Sequence, residues 1–425
     1  MNFSTQKPKV FFKTFGCRTN IFDTQVMISN LKDFEVTQDE KEASIVIINS
    51  CTVTNSADTT ARSYINGLKK LENSPKVVFT GCGTRTKGEK LFGENKIDAL
   101  FGSSEKEHIN ELLKIDDRFF KLGDLKSLDK TVVEEFVGKS RAFIKIQEGC
   151  DFRCSYCIIP HVRGDARSYE ESIILNQVQT LANNGFSEFI LTGTNVGSYG
   201  KKMHTSLAKL LKKMSLIKGV KRIRMGSIEP IQIDDEFKEL INEPFMAKHL
   251  HIALQHTSKE MLKIMNRRNK VLSDLELFEF LSSNGYALGT DFIVGHPGET
   301  PEIWKEAMKN LHNFPLTHIH AFTYSKRDGT PSASMKDIVK GDVAKDRYIE
   351  LVEIIKQKNH QFRQDRKNEQ IKLEVLVEQE KNGKYLGFDQ FFNQIEISSD
   401  EDLVADWLIL DDYKVSITKN EAKFK

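Results

Sequence analysis

No apolar run in the chain approaches the roughly 18 residues that a membrane-crossing helix needs. Its apolar runs reach four residues, and one of these, Ile45-Val-Ile-Ile48, suits a buried strand. A membrane-spanning helix is therefore excluded, and no membrane partner is expected. The first residues, Met1-Asn-Phe-Ser-Thr-Gln-Lys-Pro-Lys9, lack the apolar core of a secretory signal, which argues against export and for the cytoplasm. Net charge is nearly absent: 62 Lys and Arg face 60 Asp and Glu, leaving +2. Overall electrostatics thus makes no case for nucleic acid, and only a local basic face would serve. No cysteine follows position 157; the six present are Cys17, Cys51, Cys82, Cys150, Cys154 and Cys157. An even number suits disulfides in an exported chain, whereas clustered cysteines in a reducing cytosol are more often metal ligands or redox groups. The rest is globular in character: 425 residues allow about three domains, and 39% hydrophobic content is too apolar for disorder.

The first third alternates strands and amphipathic helices. Strands are predicted at Lys9 to Phe15, Ala43 to Ile48, Lys76 to Thr80 and Ile97 to Phe101, with helices around Asp23 to Leu31 and Ala57 to Leu71. Cys17, Cys51 and Cys82 each fall just past the carboxyl end of a strand, and their spacings of 34 and 31 residues are one strand-plus-helix unit each. Strands joined this way run parallel, so their carboxyl ends share the edge where ligands bind. Three thiols distant in sequence are thus predicted to converge. Three separately buried cysteines are the plainer alternative, but the glycines beside Cys17 and Cys82 argue for turns. Residues 121–135 read as a linker. A second α/β series opens at Arg141 to Ile146, with strands near Phe189–Thr192, Arg222–Met225, Leu250–Leu254, Gly289–Val294 and His318–Thr323. Six units predict a partly open (β/α)6 barrel, since eight would need about 250 residues. A long helix to about Asn368 follows, and then five short strands that predict a small C-terminal β-barrel. The fold class is α/β, with domains expected at 1–120, 136–362 and 363–425.

Cys150-Asp-Phe-Arg-Cys154-Ser-Tyr-Cys157 forms a C-x3-C-x2-C motif directly after a strand. Structural zinc wants four ligands, usually as two close pairs. Three are present here; His161 is near, but Pro160 restricts the backbone beside it. Three thiolates on a compact loop suit a 4Fe–4S cluster with one iron left open to a small chelating molecule. A zinc-stabilised RNA-binding protein without catalysis is the alternative from another class.

On these residues the segment resembles the radical S-adenosylmethionine (SAM) enzymes. With Gly16-Cys17, Asn49-Ser-Cys51 and Gly81-Cys82 upstream, the whole chain resembles their methylthiotransferases. The resemblance implies two 4Fe–4S clusters: one on Cys150, Cys154 and Cys157 that splits SAM to a 5′-deoxyadenosyl radical, and one on Cys17, Cys51 and Cys82 that carries the sulfur. It implies an electron donor such as flavodoxin or ferredoxin. It also implies SAM contacts at Tyr156 beside the last cysteine and at the strand ends, namely Thr194, Ser227, Glu229, Gln255 and Arg327. Taken singly, polar residues there are as readily loop residues or caps. Ser258 and Thr300 read as N-caps, and His251, His256, His318 and His320 read as barrel histidines rather than ligands. A monomer is favoured.

Asn49-Ser-Cys-Thr-Val-Thr54, Ile144-Lys-Ile-Gln-Glu-Gly-Cys150 and Cys157-Ile-Ile-Pro-His-Val-Arg-Gly164 resemble the subgroup acting on N6-threonylcarbamoyladenosine at tRNA position 37. The expected partner is therefore tRNA, through its anticodon loop. Isopentenyladenosine tRNA and a ribosomal-protein aspartate are alternatives. The last of these gains from the C-terminal stretch, which stands where the family has an RNA-binding barrel. From Gln361 to Lys425 it holds ten Lys and Arg against fourteen Asp and Glu, and phosphate binding is electrostatic. The basic pairs Lys201-Lys202, Lys212-Lys213, Lys221-Arg222 and Arg267-Arg268 read as solvated helix faces.

Overall fold

The computed structural model describes residues 7–136 and 140–424. Six parallel strands form the first sheet: β1 (Lys9–Thr14), β2 (Glu35–Val36), β3 (Ile45–Ser50), β4 (Lys76–Gly81), β5 (Ala99–Phe101) and β6 (Phe119–Lys121), in the order β2-β1-β3-β4-β5-β6. β3 is buried along its whole length, which its continuous apolar run dictates for a strand covered on both faces. Helix α1 (Arg18–Ser29) follows β1. Helix α2 (Asn55–Leu68) follows β3 and starts at Thr54, whose side chain accepts from Ala57 N. β2 and β6 add to the four strands expected; at two and three residues they are too short to leave a pattern.

The second unit holds β7 (Ala142–Lys145), a two-stranded ribbon of β8 (Gln147–Glu148) and β9 (Arg167–Ser168), and then β10 (Glu188–Thr192), β11 (Arg222–Arg224), β12 (His249–His251), β13 (Ala287–Val294) and β14 (His318–Thr323). Parallel triplets β7-β10-β11 and β12-β13-β14 are joined by bridges Ile223–Met246 and Ile228–Ile252. The result is the six-unit, partly open barrel that the spacing predicts. Ser258 and Thr300 cap their helices as expected.

The predicted linker is not a solvated tether. Asp129, Val133 and Phe136 are buried, and Gln177 Oε1 accepts from Val133 N at 2.7 Å. Two apolar residues inside a charged run are enough to strap the segment onto the barrel. Phe22 and Val26 of α1 enter the same apolar core, so the first sheet and the barrel share their interior.

The C-terminal part is a curled half-barrel of six strands rather than five: β15 (Leu373–Lys381), β16 (Lys384–Phe388), β17 (Gln394–Ser398), β18 (Trp407–Leu410), β19 (Lys414–Val415) and β20 (Asn420–Lys423), in the order β18-β15-β16-β17-β20-β19. β20, Asn-Glu-Ala-Lys, lacks β-branched residues and is held by its pairing with β17. Arg222 and Arg224 tie this sheet to the barrel by donating to Glu374 O at 2.8 Å and Asp389 O at 2.5 Å. No helix among the described residues is long and apolar enough to cross a membrane.

Candidate active site

The parallel order of the first sheet carries Cys17, Cys51 and Cys82 to one edge. Gly16 sits there with φ +102°, and a side-chain carbon on it would lie 2.9 Å from Cys51 Sγ, so only glycine permits this approach. All six cysteines are free thiols. Burial pushes the Cys51 thiol up to about 12, and Cys82 and Cys17 add to the rise, so the three sense one another. Burial does the same for Cys157, also to about 12, with Cys154 and Cys150 adding to it. Such thiols stay protonated unless a metal displaces the proton. Two sets of three soft donors fit two clusters, each with one iron open. The segment after the radical motif reaches the upstream set: Ile158 and Val162, just past Cys157, pack on Cys82.

A cavity of about 620 Å³ runs through the barrel and reaches Cys17 at one wall and Cys150, Cys154 and Cys157 at another. Of the predicted contact residues, Tyr156, Thr194, Ser227, Glu229 and Gln255 line it. Gln255 holds φ +64° at the end of β12, an uncommon conformation for a residue with a side chain. Arg327 is not among the lining residues. Its guanidinium is buried against Asp58 at 2.6 Å and Val53 O at 3.2 Å, where it joins the loop after β14 to the first sheet. His161 is exposed and faces a separate cleft with Arg85 and Lys326.

Arg267 is the main departure from the sequence reading. Far from a solvated face, its side chain is 2% exposed and forks onto Glu229, with Nη1 also 3.6 Å from Cys154 Sγ. Burial raises the Glu229 carboxyl, and Arg267 opposes the rise. Arg222 is likewise buried, paired with Glu188. Asn195 Nδ2 reaches Cys150 Sγ at 3.5 Å. On the far side of the cavity Asp291 faces His251 at 3.0 Å, His320 at 3.4 Å and Ser227 Oγ at 3.1 Å. Burial works against this carboxylate, yet the two imidazoles hold it well below the usual range. The histidines His251 and His320 therefore do face the cavity.

Arg163 lies in the subgroup-like segment Cys157–Gly164, but nothing in the sequence gives it a role of its own. It is 1% exposed; its Nε donates to Cys82 Sγ at 3.1 Å, and its Nη1 reaches Asp23 at 2.8 Å and Glu148 at 2.7 Å. Asp23 also meets Lys145 at 2.7 Å and Lys106 at 3.4 Å, and Lys106 meets Asp129 at 2.6 Å. This buried group draws residues from the first sheet, the strap and the barrel, with three cations set against three carboxylates. It fixes the upstream cysteines relative to the radical motif.

Residues 9–102 match the family described as Uncharacterized protein family UPF0004, and residues 144–311 match the Radical SAM superfamily. A Helicobacter pylori strain J99 protein with the provisional name methylthiotransferase is 54% identical over 98% of this chain and 100% of its own. The Bacillus subtilis threonylcarbamoyladenosine tRNA methylthiotransferase MtaB is 31% identical over 98% and 96%, respectively. The chain belongs to the radical SAM methylthiotransferase family. Its other relatives include a ribosomal protein uS12 methylthiotransferase RimO from Acetivibrio thermocellus, 32% identical over 83% of this chain and 84% of that one. Among solved structures, the radical SAM methyltransferase TsrM from Kitasatospora setae aligns over 77% of each chain with TM-score 0.59 at 16% identity, a likeness of fold. As a methylthiotransferase, the protein transfers sulfur-containing groups to tRNA or protein and works with SAM and two 4Fe–4S clusters. The zinc-stabilised, non-catalytic alternative falls with this assignment.

Proposed function

We propose that this methylthiotransferase modifies carbon-2 of N6-threonylcarbamoyladenosine at tRNA position 37. Relatives acting on that nucleoside, on dimethylallyladenosine tRNA and on uS12 all stand at 31–36% identity, so identity alone does not discriminate. The observation that carries the reading is the character of the cavity. It reaches Cys17 and the radical trio and ends at Arg18 and Arg224, of which Arg224 is paired with Glu188 and Arg18 is not; such an end suits a substrate that carries a carboxylate and argues against a nucleoside bearing only a hydrocarbon. The local matches around Cys51 and Cys157 point the same way. An unpaired anticodon-loop base, flipped out of its stack, offers the target carbon to both cysteine sets.

In this reading Cys150, Cys154 and Cys157 hold one cluster and Cys17, Cys51 and Cys82 the other. The clusters supply the electron that cleaves SAM and the site that carries the sulfur. The chain's own residues hold the geometry around them. Arg163 and Asn195 donate to Cys82 and Cys150 sulfur atoms, Arg267 bridges Glu229 and Cys154, and Ile158 and Ile293, both buried, give the cavity apolar wall. A reductant of the flavodoxin or ferredoxin class delivers the electron. The test is mass spectrometry of tRNA nucleosides and of uS12 from a deletion strain. Loss of the methylthio form of threonylcarbamoyladenosine supports the assignment. Intact tRNA with loss of methylthio-aspartate from uS12 moves the chain to the protein-modifying subgroup.

A further inference from the structure

Four arginines gather at the end of the cavity where the strands begin. Arg141 pairs with Glu378 and lies 3.7 Å from Glu188; Arg222 and Arg224 both pair with Glu188. The carboxyl of the nearby Asp389 is taken by its own loop, accepting from Phe391 N at 2.9 Å and Asn393 N at 2.8 Å. Arg18 alone has no carboxylate. Among the described residues it makes no hydrogen bond or ion pair, and its guanidinium stands 5.7 Å from the Phe392 ring centroid. It lines the cavity, largely withdrawn from solvent, and follows Cys17 directly. A cation desolvated without an anion is costly, and a protein keeps one where a ligand completes the pair.

The ring that supports it is itself constrained. Phe392 holds φ +67°, a strained conformation for an aromatic residue. It is kept there by stacking on Phe388 at 4.8 Å and His249 at 5.0 Å. Three guanidinium groups gather over this ring, Arg18 at 5.7 Å, Arg141 at 5.6 Å and Arg224 at 5.3 Å; Arg141 and Arg224 are tied to carboxylates, and Arg18 is the one whose donors are left for the cavity.

We propose that Arg18 is the receptor for a carboxylate on the substrate, a specificity-determining residue that selects the acid-bearing nucleoside. This deepens, and rests on, the tRNA reading given above. A planar fork of N–H donors matches a carboxylate in a bidentate pair. Its place beside Cys17 puts the bound carboxylate near the sulfur-carrying edge, leaving the base to span toward Cys150, Cys154 and Cys157.

The test uses full-length, iron-loaded protein and two anticodon stem-loop RNAs. One carries N6-threonylcarbamoyladenosine at position 37 as the free acid, the other the same nucleoside as its methyl ester. Equilibrium binding is read by fluorescence anisotropy. Wild type should favour the acid by about 10- to 100-fold, the range of a charge-assisted hydrogen bond. Arg18→Gln should bind the two RNAs alike with unchanged iron content, and Arg18→Lys should keep part of the preference. An Arg18→Gln protein that still prefers the acid overturns the assignment. So does one that loses about half its iron, which would give the guanidinium to the upstream cluster. Wild-type protein that transfers no methylthio group to the acid RNA but modifies uS12 overturns the tRNA reading itself, an outcome separate from either of these.

Discussion

Replacing Asp23 by Asn keeps the side chain's size and removes its charge. In the structure that charge faces Lys145 at 2.7 Å, Arg163 at 2.8 Å and Lys106 at 3.4 Å, and every side chain in the group is at most 5% exposed. Breaking a buried pair by removing one partner costs about 3–5 kcal/mol, because the remaining charges stay buried and unbalanced. For a folded body of 425 residues, whose unfolding entropy is about 0.9 kcal/mol/K, that lowers the midpoint of thermal unfolding by roughly 3–6 °C. Differential scanning calorimetry of the iron-loaded protein measures it. The double variant Asp23→Asn/Lys145→Met restores the charge balance and should regain a substantial part of the loss, a non-additivity expected for direct neighbours. Acid provides a second check. Burial opposes ionisation of Asp23, but Lys106, Lys145 and Arg163 hold its carboxyl well below the usual range. Its stabilisation is therefore fully present above the unfolded carboxyl value of about 4 and declines as pH falls below that. The gap between wild type and Asp23→Asn should be widest near neutral pH and close under acid. A variant that melts within about 2 °C of wild type at pH 7 would refute the reasoning, since no screened surface pair behaves like this group.

Cys154→Ala should stop 5′-deoxyadenosine formation under anaerobic reducing conditions and lose about half the iron, four atoms of eight; normal cleavage of SAM would remove Cys154 from the radical site. The triple variant of Cys17, Cys51 and Cys82 to Ala should keep SAM cleavage, lose about half the iron and make no methylthio product; product from this variant would place the sulfur source elsewhere. Gly16→Ala, strained by φ +102° and crowded against Cys51, should resemble the triple variant in iron content, and a full complement of iron would show that the loop can yield. Asp33→Asn, which breaks an exposed ion pair with Lys114 at 2.5 Å, should leave the melting midpoint unmoved.

What the sequence made legible was whatever repeats or clusters. The apolar run of β3, the near-equal spacing of Cys17, Cys51 and Cys82, and the tight Cys150–Cys157 loop each depend on neighbours in the chain. Buried charge is different. Arg163, Arg267 and Arg222 look in sequence like the solvated Lys212 and Lys213, and only tertiary partners such as Glu229 or Glu188 separate them. Arg327 was read toward the cavity because it follows a barrel strand; its partner Asp58 lies more than 250 residues upstream, beyond the reach of local pattern. The strap of residues 124–136 was hidden by its charge, since Val133 and Phe136 are too few to form a period. β20 was hidden by composition, because pairing with β17 and β19 on either side, not propensity, holds it.

The position of Phe392 gives the C-terminal sheet a second duty. Its ring lines the end of the cavity opposite the strand carboxyl ends; Arg224 bolts the loop that carries it to the barrel through Asp389 O, and Arg222 holds the neighbouring β15 through Glu374 O. The sheet is in effect the stopper of the reaction chamber. Cutting it away does more than remove a surface for substrate; it unplugs the chamber from below and lets bulk water reach a radical that must survive until it meets its target.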